Sequence, residues 1–473
     1  MLKFKKYKYS KEFMEFPSQV DVTIVGGGPS GVVCAYMVAK AGYKVVILDK
    51  KSRDKIGDKT CGDAVDKAAL DRLHQESGLS YPSGNEVSDI IEKMSIGAGD
   101  VDCKISLDAP GYLVDRLNYG QRLLQNAESV GVTIIPQATV RDILYREEND
   151  IRFVSGVKFK HNGKIHEIGS HFTIDASGSY AVIRKQLPEE FFINGLEKEL
   201  KDVEIWPTYR EIIQLNENQS NHRWMNEILL LYKDDFPIPG YFWIFSKGNH
   251  QLNVGIGWSK VQNLGKMKDL FRKELSNYYS ENDYSVIKSG GGQIPIRPPF
   301  DSLVFNGGAL AGDAACMVHP ITAEGHGPAL DTAMRLGKTL INALKQKNYT
   351  REGIWDYNVA VAKHYGRKHT ESELFKRFLI DIEVSGLEFL IKKKVFNEEE
   401  LNLVFSGETI ALSKLDIFKR FLILLQKPKI LFKIRSIFRK TDVCKKIYSE
   451  YPTNPSEIDS WRKKRNSTLG LSY

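Results

Sequence analysis

Apolar and polar positions change rhythm several times along the chain, and each change marks an element. Residues 22–25 are a short apolar run that stops at Gly26-Gly27-Gly28-Pro29-Ser30-Gly31. A helical stretch follows to Lys40, and a second apolar run at 44–48 closes on Asp49. That order predicts strand, tight turn, helix, strand. A charged, turn-rich segment (50–60) leads to Cys61-Gly62-Asp63-Ala64 and then to a helical pattern through Val65, Leu70 and Leu73.

Between 87 and 108 the pattern breaks into short alternating pieces, 93–96 and 103–107, as expected of strands in an antiparallel sheet. An amphipathic helix is expected to open at Tyr112-Leu113-Val114-Asp115-Arg116-Leu117 and run to about Val130, with a strand at 132–135. Residues 153–160 and 164–174 alternate as a hairpin that ends in Asp175-Ala176-Ser177-Gly178-Ser179. From about 191 to 289, strand-like pieces surround Tyr241-Phe242-Trp243-Ile244-Phe245. With period two, Tyr241, Trp243 and Phe245 share one face, either as sheet core or as a substrate wall.

A second strand–turn–helix unit comes late: 309–311, then Gly312-Asp313-Ala314-Ala315, a glycine-containing loop to Gly327 and a long helix from Pro328 to about Leu344. Beyond Asn348 the chain reads as helical and basic. Residues 412–440 mix apolar positions (Phe421, Leu422, Leu425, Phe432) with cationic ones (Lys419, Lys427, Lys433), which suits packing onto the body or contact with a membrane surface. The residues before Ser18 read as a basic, aromatic-rich arm or edge strand.

Composition narrows the function classes. The chain has 473 residues, 42% of them hydrophobic, enough for two or three domains. Its 67 basic and 59 acidic residues leave +8, too modest a surplus to expect a nucleic-acid partner. No apolar run is long enough to span a bilayer, and the basic N-terminus lacks the apolar core of a signal peptide, so a cytoplasmic location is expected. Five cysteines show no Cys-x-x-Cys spacing and no matching histidine pair. No metal site is expected, and Cys34 reads as a core residue.

The chemistry of the first turn is specific. Gly28 carries no side chain to block a pyrophosphate, Gly31 permits close helix–strand packing, and the helix start offers N–H groups to phosphate. Asp49, closing the second strand, can accept from ribose hydroxyls, which points to an adenine dinucleotide without a 2′-phosphate. Arg116 can reach a phosphate or a flavin edge, or pair with a surface acid. Cys61 is either a small filler or a proton donor.

The glycine-rich turn, Asp115-Arg116 and Gly312-Asp313, in that order, resemble the FAD-dependent family of aromatic hydroxylases and their relatives over residues 19–345. Within it, Cys61-Gly62, the run through Tyr241, Trp243 and Phe245, and Pro320-Ile321-Thr322-Ala323-Glu324-Gly325 resemble the geranylgeranyl reductase branch, including the archaeal digeranylgeranylglycerophospholipid reductases. That branch commonly has glycine where Ala323 stands, an aliphatic residue at His326 and proline at Ser246; hydroxylases usually carry histidine at Cys316.

The resemblance implies an α/β fold. A Rossmann-like FAD-binding domain would take residues 19–90, 108–190 and 290–345. An inserted antiparallel β-sheet substrate domain would take 91–107 and 191–289, and a C-terminal helical region 346–473. It implies FAD with its pyrophosphate over Gly26, Gly28, Pro29, Ser30 and Gly31, and its ribose on Asp49. Val140 would sit at the adenine end, Cys61, Gly62, Ala64 and Arg116 along the flavin, and Asp313, Gly325 and His326 on the ribityl and ring side. Tyr241, Trp243 and Phe245 would contact a geranylgeranyl lipid or diphosphate, with Cys61 or His326 as the acid. Reduced ferredoxin or NAD(P)H outside the chain would supply electrons. The expected activity is saturation of geranylgeranyl double bonds. An FAD monooxygenase and a non-catalytic prenyl-lipid escort are the alternatives.

Overall fold

The computed structural model describes residues 16–220, 222–236, 238–260, 266–400, 402 and 414–471. The N-terminal arm before residue 16 and Leu412 lie outside them.

Five strands form a parallel core: β1 (Gln19–Val25), β2 (Val45–Leu48), β6 (Thr133–Ile135), β9 (Lys164–Asp175) and β16 (Gly308–Leu310). Near-continuous Val and Ile runs suit strands covered on both faces, and Val22, Ile24, Ile47 and Ile174 are fully buried. The register sets the site. Val25 pairs with Leu48 and with Asp175, Leu48 with Ile135, and Asp175 with Leu310. All five strands therefore end in one row, and the turns that follow emerge along a single edge, where open parallel sheets bind ligands.

Three more strands complete this eight-stranded sheet. The N-terminal half of β9 forms a hairpin with β8 (Ile151–His161), which pairs in turn with β7 (Thr139–Glu148), while β15 (Val304–Phe305) pairs with β16. Helix α1 (Pro29–Lys40) follows the first turn, and α5 (His326–Gln346) packs against α1. Gly337 allows this approach, because a Cβ there would lie 2.8 Å from the Met37 side chain.

The second sheet also has eight strands. It runs β14 (Tyr284–Pro295), β10 (Ile205–Leu215), β13 (Gln251–Gly257), β12 (Tyr241–Ser246), β11 (Glu227–Tyr232), β4 (Val87–Ala98), β5 (Asp100–Val114), β3 (Ala64–Asp66), and is antiparallel except between β11 and β4. Its two faces do different work. Phe242, Ile244, Val254 and Ile256 pack on Phe271 of α4 (Met267–Leu275), whereas Tyr241, Trp243 and Phe245 belong to the cluster continuous with the first sheet.

Several expectations need correcting. The pieces expected at 93–96 and 103–107 are parts of one long ribbon, β4–β5, whose bulges near residues 88, 92 and 98 interrupt the alternation that sequence periodicity relies on. Residues 112–114 are its last strand residues, not a helix start: Tyr112 and Leu113 pair with Val65 and Ala64. Helix α3 (Arg116–Ser129) begins only where Asp115 caps it, accepting from Asn118 N at 2.8 Å. Val65 is likewise a strand residue, and α2 (Lys67–Ser77) starts after it. We propose that sheet membership divides the domains. The unit built on the second sheet then takes 64–66, 87–114 and 205–295, which adds strand residues on either side of 91–107 and at 290–295 and leaves out 191–204.

Helices Trp355–Val361, Arg367–Lys392, Lys414–Leu424, Pro428–Ser449 and Ile458–Leu469 follow. They are tied to the body at Asp301, whose carboxylate accepts from Arg462 at 2.8 Å and pairs with Arg465, and to one another at Trp355, which donates to Pro452 O at 3.0 Å.

Candidate active site

One cavity of about 780 Å³ runs between the two sheets. At one end lies the first turn. Gly28 is the cap of α1 and has no side chain to bond the helix's first N–H groups. A Cβ on Gly28 would meet nothing within 4 Å, whereas one on Gly31 would lie 2.0 Å from Gly26 O. Gly28 thus opens space and Gly31 closes a packing contact. Asp49 is fixed beside the turn, Oδ2 accepting from Gly27 N and Oδ1 from Lys51 N, both at 2.8 Å. Ala138 N donates to Asp49 O at 2.8 Å, which brings Val140 to the same end.

The middle of the cavity is polar and crowded. Arg116, only 8% exposed, donates from Nη1 to Cys61 Sγ at 3.5 Å and to His326 Nδ1 at 3.2 Å. Because guanidinium can only donate, His326 Nδ1 is the acceptor and the imidazole proton sits on Nε2, which is buried without a partner. Burial, then Arg116 and Lys59, hold His326 well below the usual histidine range, so it is neutral. The Cys61 thiol is pushed up by burial, with Arg116 opposing. Lys59 pairs with Asp313 at 2.7 Å.

Gly62 lies flat on Phe245; a Cβ there would be 2.5 Å from the ring. Tyr241, Trp243 and Phe245 continue from that contact as an apolar wall with Leu230, Trp206 and Ile228. Gly255, opposite Trp243, leaves room for the indole: a Cβ would lie 2.1 Å from it. Tyr241 donates to Thr322 O at 2.9 Å and so joins the wall to the loop before α5.

That loop is held from inside. His319, driven down to about 3 by burial and therefore neutral, accepts at Nδ1 from Ile321 N at 3.3 Å and Thr322 N at 3.2 Å. Ala323 takes a left-handed φ of 54°, a position that suits glycine better. Glu324 accepts from Gly327 N at 2.7 Å, and burial raises its carboxyl to about 7.

The cavity brings together Gly26, Gly28, Pro29, Ser30, Asp49, Cys61, Gly62, Ala64, Arg116, Val140, Asp313, Gly325, His326, Tyr241, Trp243 and Phe245. Gly31 does not line it. Reasoning from sequence gave no role to Glu324, although it stands inside a quoted motif, nor to Lys59 and Asp63. Those two carry no spacing signal and become legible only through contacts across the fold.

The donor set fits FAD. An uncapped helix start with room for phosphate, an acid beside it and a deep pocket with buried donors lie along one cavity. Fold and site define an FAD-binding oxidoreductase.

Comparison with known proteins refines this. The FAD binding domain family matches residues 19–227 and the geranylgeranyl reductase catalytic domain family matches 213–294. The digeranylgeranylglycerophospholipid reductase of Sulfolobus acidocaldarius is 29% identical over 95% of this chain and 97% of its own. Reductase 3 of that name from Methanosphaera stadtmanae is 24% identical over 89% and 98%. A geranylgeranyl bacteriochlorophyll reductase-like crystal structure from Thermoplasma acidophilum superposes with a TM-score of 0.72 at 20% identity, covering 89% of this chain and all of that one, and shares the fold. The chain is thus similar to the geranylgeranyl reductases among the FAD-binding proteins.

Proposed function

We propose that this protein saturates carbon–carbon double bonds in geranylgeranyl chains of polar-lipid precursors. The observation that carries the reading is the shared cavity: both glycine-rich corners and the aromatic wall of the second sheet open into it. The relatives from Sulfolobus and Methanosphaera, named digeranylgeranylglycerophospholipid reductases, support the substrate class.

Bound FAD, once reduced, supplies a hydride. The chain's residues do the rest. Gly26, Gly28, Pro29 and Ser30 would hold the pyrophosphate, Asp49 the ribose, and Arg116, Asp313 and His326 would flank the ring. An isolated trisubstituted alkene is poorly electrophilic, so the second carbon needs a proton at nearly the same time. Cys61 Sγ is the better donor: both side chains line the cavity, but His326 is neutral and its remaining N–H, on Nε2, is buried. Tyr241 and Trp243 exclude water and steady positive charge developing on the alkene through their ring faces. Burying a prenyl chain releases about 0.8 kcal/mol per methylene, so a twenty-carbon chain gains on the order of 10 kcal/mol in such a channel.

Electrons come from outside the chain, through a reduced ferredoxin or NAD(P)H. Among the described residues no helix is long and apolar enough to cross a membrane. We read the exposed Phe421, Leu422, Leu425 and Phe432, set among Lys427, Lys429 and Arg435, as a surface that rests on anionic lipid while substrate loads. The enzymatic test is chemical reduction of the holoprotein without oxygen, addition of a geranylgeranyl lipid and mass analysis of the product. Gain of one hydrogen pair per double bond is expected; unchanged lipid with the flavin still reduced refutes the reading.

A further inference from the structure

Behind Cys61 lies a buried polar chain that the cofactor does not account for. Cys61 donates its S–H to Asp63 Oδ1 at 3.1 Å and accepts from Asp63 N at 3.2 Å. Asp63 Oδ2 is paired with Lys247 Nζ at 2.8 Å and accepts from Asn253 Nδ2 at 3.0 Å. The same Asn253 amide donates to Cys61 O at 2.9 Å, and its Oδ1 accepts from the Trp243 indole at 3.1 Å. Asp63, Lys247 and Asn253 are all buried. Asp63 also takes a left-handed φ of 70°, and its carbonyl accepts from Val114 N at 2.9 Å.

Cys61 and Asp63 sit on the loop after the first βαβ unit, whereas Lys247 and Asn253 belong to the second sheet, just past β12 and on β13. A buried carboxylate held from two sides, on a strained backbone, is more than packing requires.

We propose that Asp63, clamped by Lys247 and Asn253, is the positioning residue that aims the Cys61 thiol and keeps its proton in place, so that the sheet bearing the substrate wall also sets the protonation state of the cysteine. This rests on the reading of Cys61 as the acid. The charged and titratable groups around the thiol are Lys59 and Asp63 on its own loop, Arg116 on α3, His326 on α5, Arg210 on β10, which donates to Cys61 O at 3.3 Å, and Lys247. Asp63 is the one acid in that set, so the carboxylate opposes the pull of the cations toward thiolate.

The test is the pH profile of Cys61 alkylation by iodoacetamide in the holoprotein, read by peptide mass, since the thiolate is the nucleophile. Asp63→Asn should move the midpoint down by about one pH unit, roughly tenfold in rate on the rising limb, and Lys247→Met should move it up by about as much. Flavin content and circular dichroism establish that each variant is folded. Unchanged midpoints, or shifts of the same sign, overturn the proposal. If Asp63→Asn does not fold, Lys247→Met decides alone: an unchanged or lowered midpoint overturns it. Turnover of Cys61→Ala is measured separately. Full activity there removes Cys61 as the acid and leaves the alkylation profiles to judge Asp63.

Discussion

Gly28 and Gly31 stand three positions apart and exclude side chains for different reasons. Replacing Gly28 by valine adds bulk only to open cavity. The flavin-free protein should therefore lose no more than about 1 kcal/mol, the effect of an apolar helix cap, while FAD affinity falls by at least about tenfold, or 1.4 kcal/mol. Gly31→Val drives its Cβ into Gly26 O and should cost the fold itself about 3 kcal/mol. Thermal melts with and without FAD separate the two. Glu324 gives a pH-dependent counterpart. Its carboxyl is raised to about 7 in the folded state, so the folded protein resists ionising it. Its contribution is intact below the unfolded value of 4.5 and is lost as pH rises through 7. Glu324→Gln should match the parent near the acid end of that window and exceed it by about 1–3 kcal/mol above neutrality, measured by denaturant unfolding at each pH. A parent as stable as the variant at alkaline pH contradicts this.

At the scale of elements, strands β12 and β13 make the aromatic wall of the cavity together. The Trp243 indole lies flat over Gly255, and Gly255→Ala should push it into the cavity. About 1–3 kcal/mol of stability should be lost and the KM for the prenyl lipid should rise, with flavin content unchanged; an unaltered KM would show that the indole does not bound the channel. The period-two alternation of residues 241–245 placed these rings on one face because the strand is regular and central. The β4–β5 ribbon was harder to read because its bulges break the alternation, and the helix start at Arg116 was blurred by apolar strand residues just before its cap. The first turn was legible because glycine spacing, helix and acid lie within one short segment. The partners of Cys61 and Asp63 were not, since Asn253 reaches Cys61 from 192 residues away in the chain and Lys247 reaches Asp63 from 184.

For the whole molecule, the parallel strands end in one row and the second sheet closes over that edge, so both glycine-rich corners and the aromatic wall share one space. The C-terminal helices extend the account to the membrane. Phe432 is 72% exposed, and replacing Phe421, Leu422, Leu425 and Phe432 by serine should abolish cosedimentation with anionic vesicles while sparing turnover of detergent-dispersed substrate. Retained cosedimentation would place lipid contact elsewhere. The most direct measurement is an anaerobic titration of the reduced holoprotein with a geranylgeranyl lipid, following return of the oxidised flavin's visible absorbance. The account predicts one flavin reoxidised for each double bond saturated, with no oxygen present. Absorbance that returns only when oxygen is admitted, or that stays bleached while lipid binds, would contradict a cavity in which the two meet.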